Sequence, residues 1–275
     1  MPNWVANKLS VGGENSEEIV KSLLTKDDEG GELNFDFNKI IPMPDELHII
    51  SGTVTDWSVA LYLTSINPSV KYYGKATDKM MLGRYTGLLD KLKAKGKKLN
   101  AFDIMTPVEK IAEYEKSVVG EDENFNAGKT VAEAISYGKR AVDNVIEYGH
   151  MNWYDWSIAN WGTKWNACRT NMDGGTIEFD TAWSDVSDLM CKLSEKYPDN
   201  TFYYDFAEEQ AGFYAGEFTF ENGDEVAGGY FDEGSKEAFE KYFDFFGGKE
   251  DYKYDKRTKT YKYIEDEAES GGSEM

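Results

Sequence analysis

The sequence predicts an α+β protein, in which an antiparallel sheet domain is interrupted by a long helical insertion and followed by a C-terminal appendage. Apolar and polar residues alternate near both ends of the sequence, as they do in half-buried strands. Between these regions, residues 48–149 carry apolar residues at spacings of three and four, which predicts helices. Residues 153–183 hold five of the seven tryptophans and predict a core-building segment, since each packed Trp buries a large apolar area.

The first 37 residues predict a strand, a helix and a second strand. Residues 5–11 alternate as a strand, and Ser16 caps a helix that has acidic residues in its first turn. Residues 33–37 alternate again. This order is half of a ferredoxin-like split unit.

The insertion predicts four helices. They cover residues 56–64, 79–94, 107–118 and 128–148. The sheet domain therefore consists of residues 1–47 and 150–231, with the insertion at 48–149 between its two parts.

The second half of the sheet domain repeats the pattern after a short tryptophan-rich helix. A strand at 176–181, a helix at 184–196 and a strand at 201–206 follow one another. Two further strands, 213–220 and 226–231, flank Asn222-Gly223, and an Asn-Gly pair between alternating runs is a strong hairpin signal. The appendage, residues 232–275, predicts a helix at 236–246, a hairpin within 251–266 and a frayed tail.

Composition narrows the class of protein. The formal net charge of −21 argues against binding to duplex DNA or an anionic membrane. The two cysteines show no CxxC spacing, which predicts that they are reduced thiols. There is neither a signal-peptide pattern nor a long apolar run, so the sequence predicts a soluble, cytoplasmic protein.

Five segments carry a resemblance to a known family. They read MPNW at the start, FDFNKIIPMPDEL at 35–47, WGTKWNA at 161–167, FDTAWS at 179–184 and LSEKYPD at 193–199. With them the chain resembles a phage- and plasmid-borne family that has a YubB-type ferredoxin-like domain, the Api92-like phage proteins. The resemblance implies a ferredoxin-like fold and a mobile-element origin, and it brings no catalytic residues.

Candidate ligand-binding residues lie in the tryptophan-rich stretch and beside the insertion. Trp161 or Trp165 would stack on a planar ligand while Lys164 and Arg169 meet an anion. Packing of these tryptophans under the sheet is the favoured interpretation. The two histidines, His48 and His150, bracket the insertion and would suit a metal-dependent hydrolase, although neither HxH nor HExxH spacing is present and a structural role is favoured.

An acidic belt is the other candidate. Residues 197–251 contain fifteen Asp and Glu against three Lys, about half of the net charge. A solvated face is the simplest explanation, and a surface that mimics nucleic acid and occupies a basic groove is the alternative. The candidate partner-binding residues are Glu208, Glu209, Glu217, Glu221, Asp224 and Glu225.

The leading hypothesis is a non-enzymatic accessory protein of a phage or mobile element. It would bind a host protein, such as a nucleic-acid-binding defence nuclease, and would need no metal or other cofactor. Two alternatives stay open: a small-ligand or nucleotide binder that uses a cleft between the sheet domain and the insertion, and a metal-dependent hydrolase.

Overall fold

The computed structural model describes residues 3–26, 33–52, 55, 58, 59, 62 and 131–264. The chain divides into two compact units, one formed by Met1–Pro42 with Ser157–Met275 and the other by Met43–Trp156. Within the described ranges, no helix has both the length and the apolar character needed to cross a membrane.

The described elements are ten strands and five α-helices. The strands are β1 (Trp4–Val11), β2 (Leu24–Lys26), β3 (Leu33–Phe35), β4 (Cys168–Asp173), β5 (Thr176–Ala182), β6 (Thr201–Glu208), β7 (Ala215–Glu221), β8 (Asp224–Tyr230), β9 (Tyr252–Asp255) and β10 (Thr260–Tyr263). The helices are α1 (Ser16–Ser22), α2 (Val131–Tyr148), α3 (Trp153–Trp161), α4 (Ser187–Lys196) and α5 (Lys236–Phe246).

The first unit is built on a six-stranded antiparallel sheet with the strand order β4-β5-β1-β6-β7-β8. Because β4 and β1 both pair antiparallel with β5, β1 and β4 run parallel to each other. In the same way β5 and β6 run parallel on either side of β1. The two crossovers, one through α1 and one through α4, are therefore interleaved as in a ferredoxin-like split unit, and the predicted α+β class is confirmed.

One face of this sheet forms the core, because alternate residues of each strand point to it. Val5 and Leu9 of β1 are opposite Thr181 and Ile177 of β5, and all four are buried. Aromatic side chains fill the same face further along the sheet, with Phe206 in ring contact with Tyr204, Tyr214, Phe218 and Tyr230. The predicted inward residues of β5, Ile177 and Phe179, are 0% and 2% exposed.

A polar network crosses this core without leaving its central groups unpaired. The Tyr204 hydroxyl donates to Asn7 Oδ1 at 2.5 Å and accepts from the Val186 amide at 2.9 Å. Asn7 Nδ2 donates in turn to Thr181 Oγ1 at 3.0 Å. Burial raises the pKa of Tyr204 well above its ordinary value, so the hydroxyl keeps the proton that it donates.

The prediction that residues 33–37 supply the second strand of the sheet is wrong. Residues Leu33–Phe35 instead pair with Leu24–Lys26 in a separate two-stranded ribbon, and α1 ends at Ser22. The strand stops where the Asp36 side chain accepts from the Asn38 amide and begins a 3₁₀ turn. The sheet position belongs to β4, which sequence analysis missed because this strand has little apolar alternation.

Other predicted elements are confirmed with shifted bounds. The helix expected from Ser184 starts at Ser187, because the Ser184 carbonyl is held by Thr181 Oγ1 and the Asp185 carboxylate accepts from the Ser187 amide. The β7–β8 hairpin turns at Asn222 and Gly223, whose φ values of 48° and 83° fit the expected turn. The predicted helices 79–94 and 107–118, and the tail, lie outside the described residues; of the predicted helix 56–64, the described residues 58, 59 and 62 are helical.

The appendage packs on the sheet face opposite the core. The bounds of α5 match the predicted helix 236–246, and Ser235 Oγ accepts from the Ala238 amide at its N-terminus. Lys241 reaches the sheet, where its ammonium donates to Asp205 at 2.7 Å and to Glu217 at 2.9 Å. This helix covers the part of the opposite face formed by β6 and β7, where Ala207 and Ala215 are buried with Ala238.

The second unit is described mainly through α2 and residues 43–52. Asn144 Nδ2 donates to the carbonyls of Glu46 and Met151, and the Arg140 guanidinium donates to those of Asp45 and Glu46. Gly138 allows α2 to lie close to the backbone of Ser58, since a Cβ at position 138 would be only 1.9 Å from the Ser58 carbonyl oxygen. The fourth predicted helix, 128–148, is thereby confirmed as Val131–Tyr148.

Candidate functional site

Three tryptophans and two cations form a surface cluster in the first unit. Its members are Trp4, Lys164, Trp165, Arg169 and Trp183, which we call the tryptophan surface. The ring centroids of Trp165 and Trp183 are 6.3 Å apart with the planes at 26°, and Trp4 lies 6.4 Å from Trp165. Trp165 and Trp183 are 39% and 47% exposed, so large aromatic area faces solvent.

Each cation of the cluster lies over tryptophan rings. Lys164 Nζ is 4.3 Å from the centroid of Trp165 and 4.8 Å from that of Trp183. The Arg169 guanidinium carbon is 4.3 Å from the centroid of Trp4. These distances are within the range at which the quadrupole of an indole ring attracts a cation.

Sheet pairing brings Trp4 and Trp183 together. Trp4 opens β1 opposite Ala182, the last residue of β5, so Trp183 follows immediately at the same end of the sheet. The Trp183 amide donates to the Asn3 carbonyl at 2.9 Å. Trp183 has a φ of 70°, a left-handed conformation that is rare for a bulky side chain. The surrounding structure therefore holds the backbone of this exposed residue in a strained conformation.

A β-bulge directs Arg169 towards the cluster. The pairing of β4 with β5 shifts between Cys168 and Asn171, and Arg169 has a φ of 51°. Bulges of this kind change the direction in which a side chain projects. Arg169 Nε consequently reaches Asp180 Oδ2 at 2.7 Å while the guanidinium lies over Trp4.

The loop that carries Lys164 and Trp165 is fixed by side-chain hydrogen bonds. Ser157 Oγ donates to the Lys164 carbonyl at 2.8 Å, and Thr163 Oγ1 donates to the Ala182 carbonyl at 2.8 Å. Asn166 Oδ1 accepts from the Phe37 amide at 2.8 Å. Both ends of the Lys164–Trp165 pair are thus anchored, which favours a preformed surface.

The charges beside the cluster are mixed. Burial raises the pKa of Asp180; the nearby Arg169 opposes this change and the Glu209 carboxylate adds to it. The Cys168 thiol donates to the Asp180 carbonyl, and burial raises the pKa of that thiol. A cysteine with a raised pKa is mostly protonated near neutrality, so Cys168 is not an activated nucleophile.

Only some of the ligand-binding residues predicted from the sequence lie in the tryptophan surface. Lys164, Trp165 and Arg169 are brought together as expected. Trp161 is 4% exposed and its Nε1 donates to the Ile41 carbonyl, so it packs in the core and has no free face for a ligand. Trp4 and Trp183 were not among the candidates, although both stand in the motifs MPNW and FDTAWS. The prediction that the tryptophan-rich stretch builds the core is right for Trp161 and wrong for Trp165 and Trp183.

The two histidines belong to the other unit. His48 is exposed and His150 is half-buried. Among the residues that the structure describes, no group of three or more His, Cys, Asp and Glu side chains is placed to hold a metal ion.

The acidic candidates do not form one surface. Glu208 is 4% exposed and accepts from Asn3 Nδ2, so it is unavailable to a partner. Glu217 is paired with Lys241. Glu209 follows the end of β6, whereas Glu221 is paired with Thr201 at the start of that strand. At about 3.3 Å per residue, Glu209 is roughly 25 Å from the exposed group formed by Glu221, Asp224 and Glu225.

Comparison with known proteins addresses the fold of this unit. Residues 160–263 match the family model described as "Ferredoxin-like domain in Api92-like protein". Over that range the match confirms the resemblance to the ferredoxin-like domain of Api92-like proteins. The range contains Lys164, Trp165, Arg169 and Trp183 but not Trp4.

Among solved structures, the crystal structure of a protein api92 from Yersinia pseudotuberculosis is 14% identical to this chain. The similarity covers 84% of this chain and 99% of that chain, with a TM-score of 0.35. Comparison with curated proteins gives no significant match.

Proposed function

We propose that the protein is a non-enzymatic binding protein that contacts a host protein through the tryptophan surface. The observation that carries the proposal is the assembly of three tryptophans and two cations, with Trp165 and Trp183 both more than a third exposed. Trp and Arg are the residue types most enriched among interface residues that dominate binding energy. An exposed cluster of them is costly in water unless it has a partner.

The backbone around the cluster supports a binding role. Trp183 and Arg169 both adopt left-handed conformations, each of which costs on the order of 1 kcal/mol or more for a residue other than glycine. Such strain persists only when neighbouring contacts impose it. Here it keeps two contact residues in place before a partner arrives, which reduces the ordering cost of binding.

The net charge of −21 favours a basic partner, such as a nucleic-acid-binding nuclease of the host. The exposed carboxylates at the β7–β8 turn lie about 25 Å from Glu209, whose own carboxylate is near Asp180 beside the tryptophan surface. They would therefore attract a basic partner as it approaches, but they would not contact it at the tryptophan surface. A phage or mobile-element origin and a cytoplasmic location belong to the same proposal. The origin rests on the resemblance that the five sequence motifs carry, and the location rests on the two cysteines without CxxC spacing.

Nucleotide binding is the competing function, because the exposed faces of Trp165 and Trp183 can also stack on a base. In that case Lys164 and Arg169 would meet the phosphate. However, Arg169 already pairs with Asp180 at 2.7 Å, and Glu209 adds negative charge near that pair. The local charges therefore favour a protein partner over an anion.

The test is affinity capture from host lysate, followed by a titration of the purified partner against variants. Trp183→Ala and Trp165→Ala should each weaken partner binding at least tenfold, the loss expected of a central interface tryptophan. Tyr203→Ala is the matched control, because Tyr203 is 49% exposed on β6 of the same sheet. Equal affinity of the Trp183→Ala variant and the parent protein would refute the proposal.

A further inference from the structure

Glu208 is a buried carboxylate with one oxygen that has no partner. It ends β6 on the core face of the sheet, opposite Val5, and is 4% exposed. Its Oε1 accepts from Asn3 Nδ2, whereas its Oε2 accepts no hydrogen bond. No ion pair within the described ranges involves Glu208. A buried charge without a counter-charge is costly, so this carboxylate requires an explanation.

The other buried carboxylate of the described residues, Asp185, is fully satisfied. Its Oδ1 accepts from the Ser187 amide at 2.7 Å, and its Oδ2 accepts from the hydroxyls of Tyr214 and Tyr230. In the described part of the chain, Glu208 Oε2 is the only buried side-chain nitrogen or oxygen without a hydrogen-bond partner. The fold can therefore satisfy a buried carboxylate, and it leaves this one incomplete.

The incomplete carboxylate lies close to the tryptophan surface. Asn3, its side-chain hydrogen-bond partner, is exposed. The Asn3 carbonyl accepts from the Trp183 amide at 2.9 Å, and the amide of Glu209, the next residue after Glu208, donates to the Trp4 carbonyl at 3.0 Å. A partner on the tryptophan surface would therefore reach Asn3, the side chain that closes Glu208 to a partner in the free protein.

A guanidinium group fits this carboxylate best. The two oxygens of a carboxylate match two parallel N–H groups of a guanidinium, and both bonds are assisted by charge. Arg is also better suited than Lys to a buried ion pair, because its guanidinium is more weakly hydrated. A metal ion fits less well, since within the described residues no group of three or more His, Cys, Asp and Glu side chains is placed to hold one.

We infer that Glu208 is the binding site for an arginine side chain of the partner protein, and that Asn3 is the cover that the guanidinium replaces. This inference rests on the proposed function and names the chemistry of the partner. Asn3 donates one neutral hydrogen bond to Oε1, whereas a guanidinium would donate to both oxygens and supply a positive charge. The exchange would therefore pair the charge that the free protein leaves unpaired.

The experiment titrates the full chain with Nα-acetylarginine amide and follows two NMR signals, the Asn3 side-chain amide and the Trp183 backbone amide. Sodium chloride at equal ionic strength corrects for screening. Glu208→Gln should weaken binding of this probe roughly tenfold, because the amide cannot form a charged pair. Asn3→Ala should bind the probe about two- to fivefold more tightly, because the competing hydrogen bond is removed.

Glu221→Gln is the matched control, because Glu221 also ends a strand of the same sheet but is exposed. It removes the same charge and should change probe affinity by less than about twofold. Equal losses in Glu208→Gln and Glu221→Gln would show a general charge effect and would overturn the inference.

Two further measurements separate the arginine site from other roles of Glu208. Nα-acetyllysine amide should bind the parent protein more weakly than the arginine probe, and equal binding of the two probes would overturn the assignment to arginine. Glu208→Gln should melt at the same temperature as the parent protein or higher, because it no longer buries an unpaired charge. A lower melting temperature would show that the carboxylate supports the fold, and it would overturn the inference.

The two proposals fail in distinguishable ways. If Trp183→Ala loses the captured partner while Glu208→Gln keeps both the partner and the arginine probe, the tryptophan surface is an interface and Glu208 is not an arginine site. If Trp183→Ala keeps the partner, the proposed function is wrong whatever the probe shows.

Discussion

The two faces of the sheet both carry large aromatic side chains, but they surround them with different chemistry. On the core face, Phe206 is fully buried against four other aromatic rings. On the opposite face lies Trp4, and Trp183, just beyond the end of the neighbouring strand β5, is 47% exposed with Trp165 and the Lys164 ammonium as its neighbours. Burial area supports the fold in the first case. In the second case the aromatic area stays exposed to solvent, where a ligand could contact it. Mutations on the core face should therefore lower the free energy of unfolding, whereas mutations of the exposed tryptophans should mainly lower affinity.

The largest expected effect is on the core face. Phe206→Ala should lower the free energy of unfolding by about 3–5 kcal/mol, because the ring is lost and a cavity remains. Urea denaturation followed by circular dichroism measures it. Tyr203→Ala, at an exposed position of the same strand, should lower the free energy of unfolding by no more than about 1 kcal/mol. Similar losses of unfolding free energy in the two variants would contradict the expectation that the buried ring supports the fold more than the exposed one.

The polar network of the core face gives the next effect. Tyr204→Phe keeps the ring but leaves Asn7 Oδ1 and the Val186 amide without their hydroxyl partner. We expect a loss of about 1–3 kcal/mol in the free energy of unfolding, the cost of unpaired buried polar groups. A thermal or urea titration checks it, and a value near zero would mean that other groups replace the hydroxyl.

On the exposed face, Trp183→Asn should separate stability from binding. Asn tolerates left-handed φ values, so the free energy of unfolding should change by less than about 1 kcal/mol. Affinity for the partner should nevertheless fall, as for Trp183→Ala. A loss of stability as large as that of Phe206→Ala would place Trp183 with the core instead.

The smallest effect concerns a surface carboxylate that faces neither aromatic cluster. The hydrogen bond from Lys262 Nζ, with those from the Arg257 and Thr258 amides, lowers the pKa of Asp255 from 3.8 to about 2. Its contribution to stability is therefore present above pH 3.8 and is lost as the pH falls towards 2.

Asp255→Asn should remove this contribution to the pH dependence of the free energy of unfolding. At low pH, where Asp255 is protonated, the variant and the parent protein should be equally stable. Carbon-detected NMR titration of the carboxyl, with urea denaturation of both proteins between pH 5 and 2, measures it. An Asp255 pKa near its ordinary value would contradict the expectation.

Local patterns were sufficient for much of the first unit. β5, α4, β6 and α5 each show a clear apolar period in the sequence, and Asn222-Gly223 specifies the β7–β8 turn. β4 could not be found in this way, because it has a bulge and little apolar alternation. For residues 33–37 the alternation is real, but these residues pair with Leu24–Lys26 rather than with the sheet.

The candidate site was predictable only in part. Lys164, Trp165 and Arg169 are neighbours in the sequence, and their residue types predicted stacking. Trp161 has the same residue type and lies four positions before Trp165, yet it is buried. Residue type alone does not distinguish them, because Trp161 ends α3 and packs against Phe37 and the Ile41 carbonyl, whereas Trp165 lies in the loop that follows the helix.

The sequence by itself determined the α+β class, the inward face of the clear strands and the net negative charge. These properties depend on the spacing of apolar residues, on the residues at turns and on the formal charges. The first two are set by neighbours in the sequence, and the charges simply add. Only the tertiary structure decided that Trp4 meets Trp165, which in turn stacks on Trp183. Their contact depends on the pairing of Trp4 with Ala182, a register between strands distant in the sequence that no local pattern specifies.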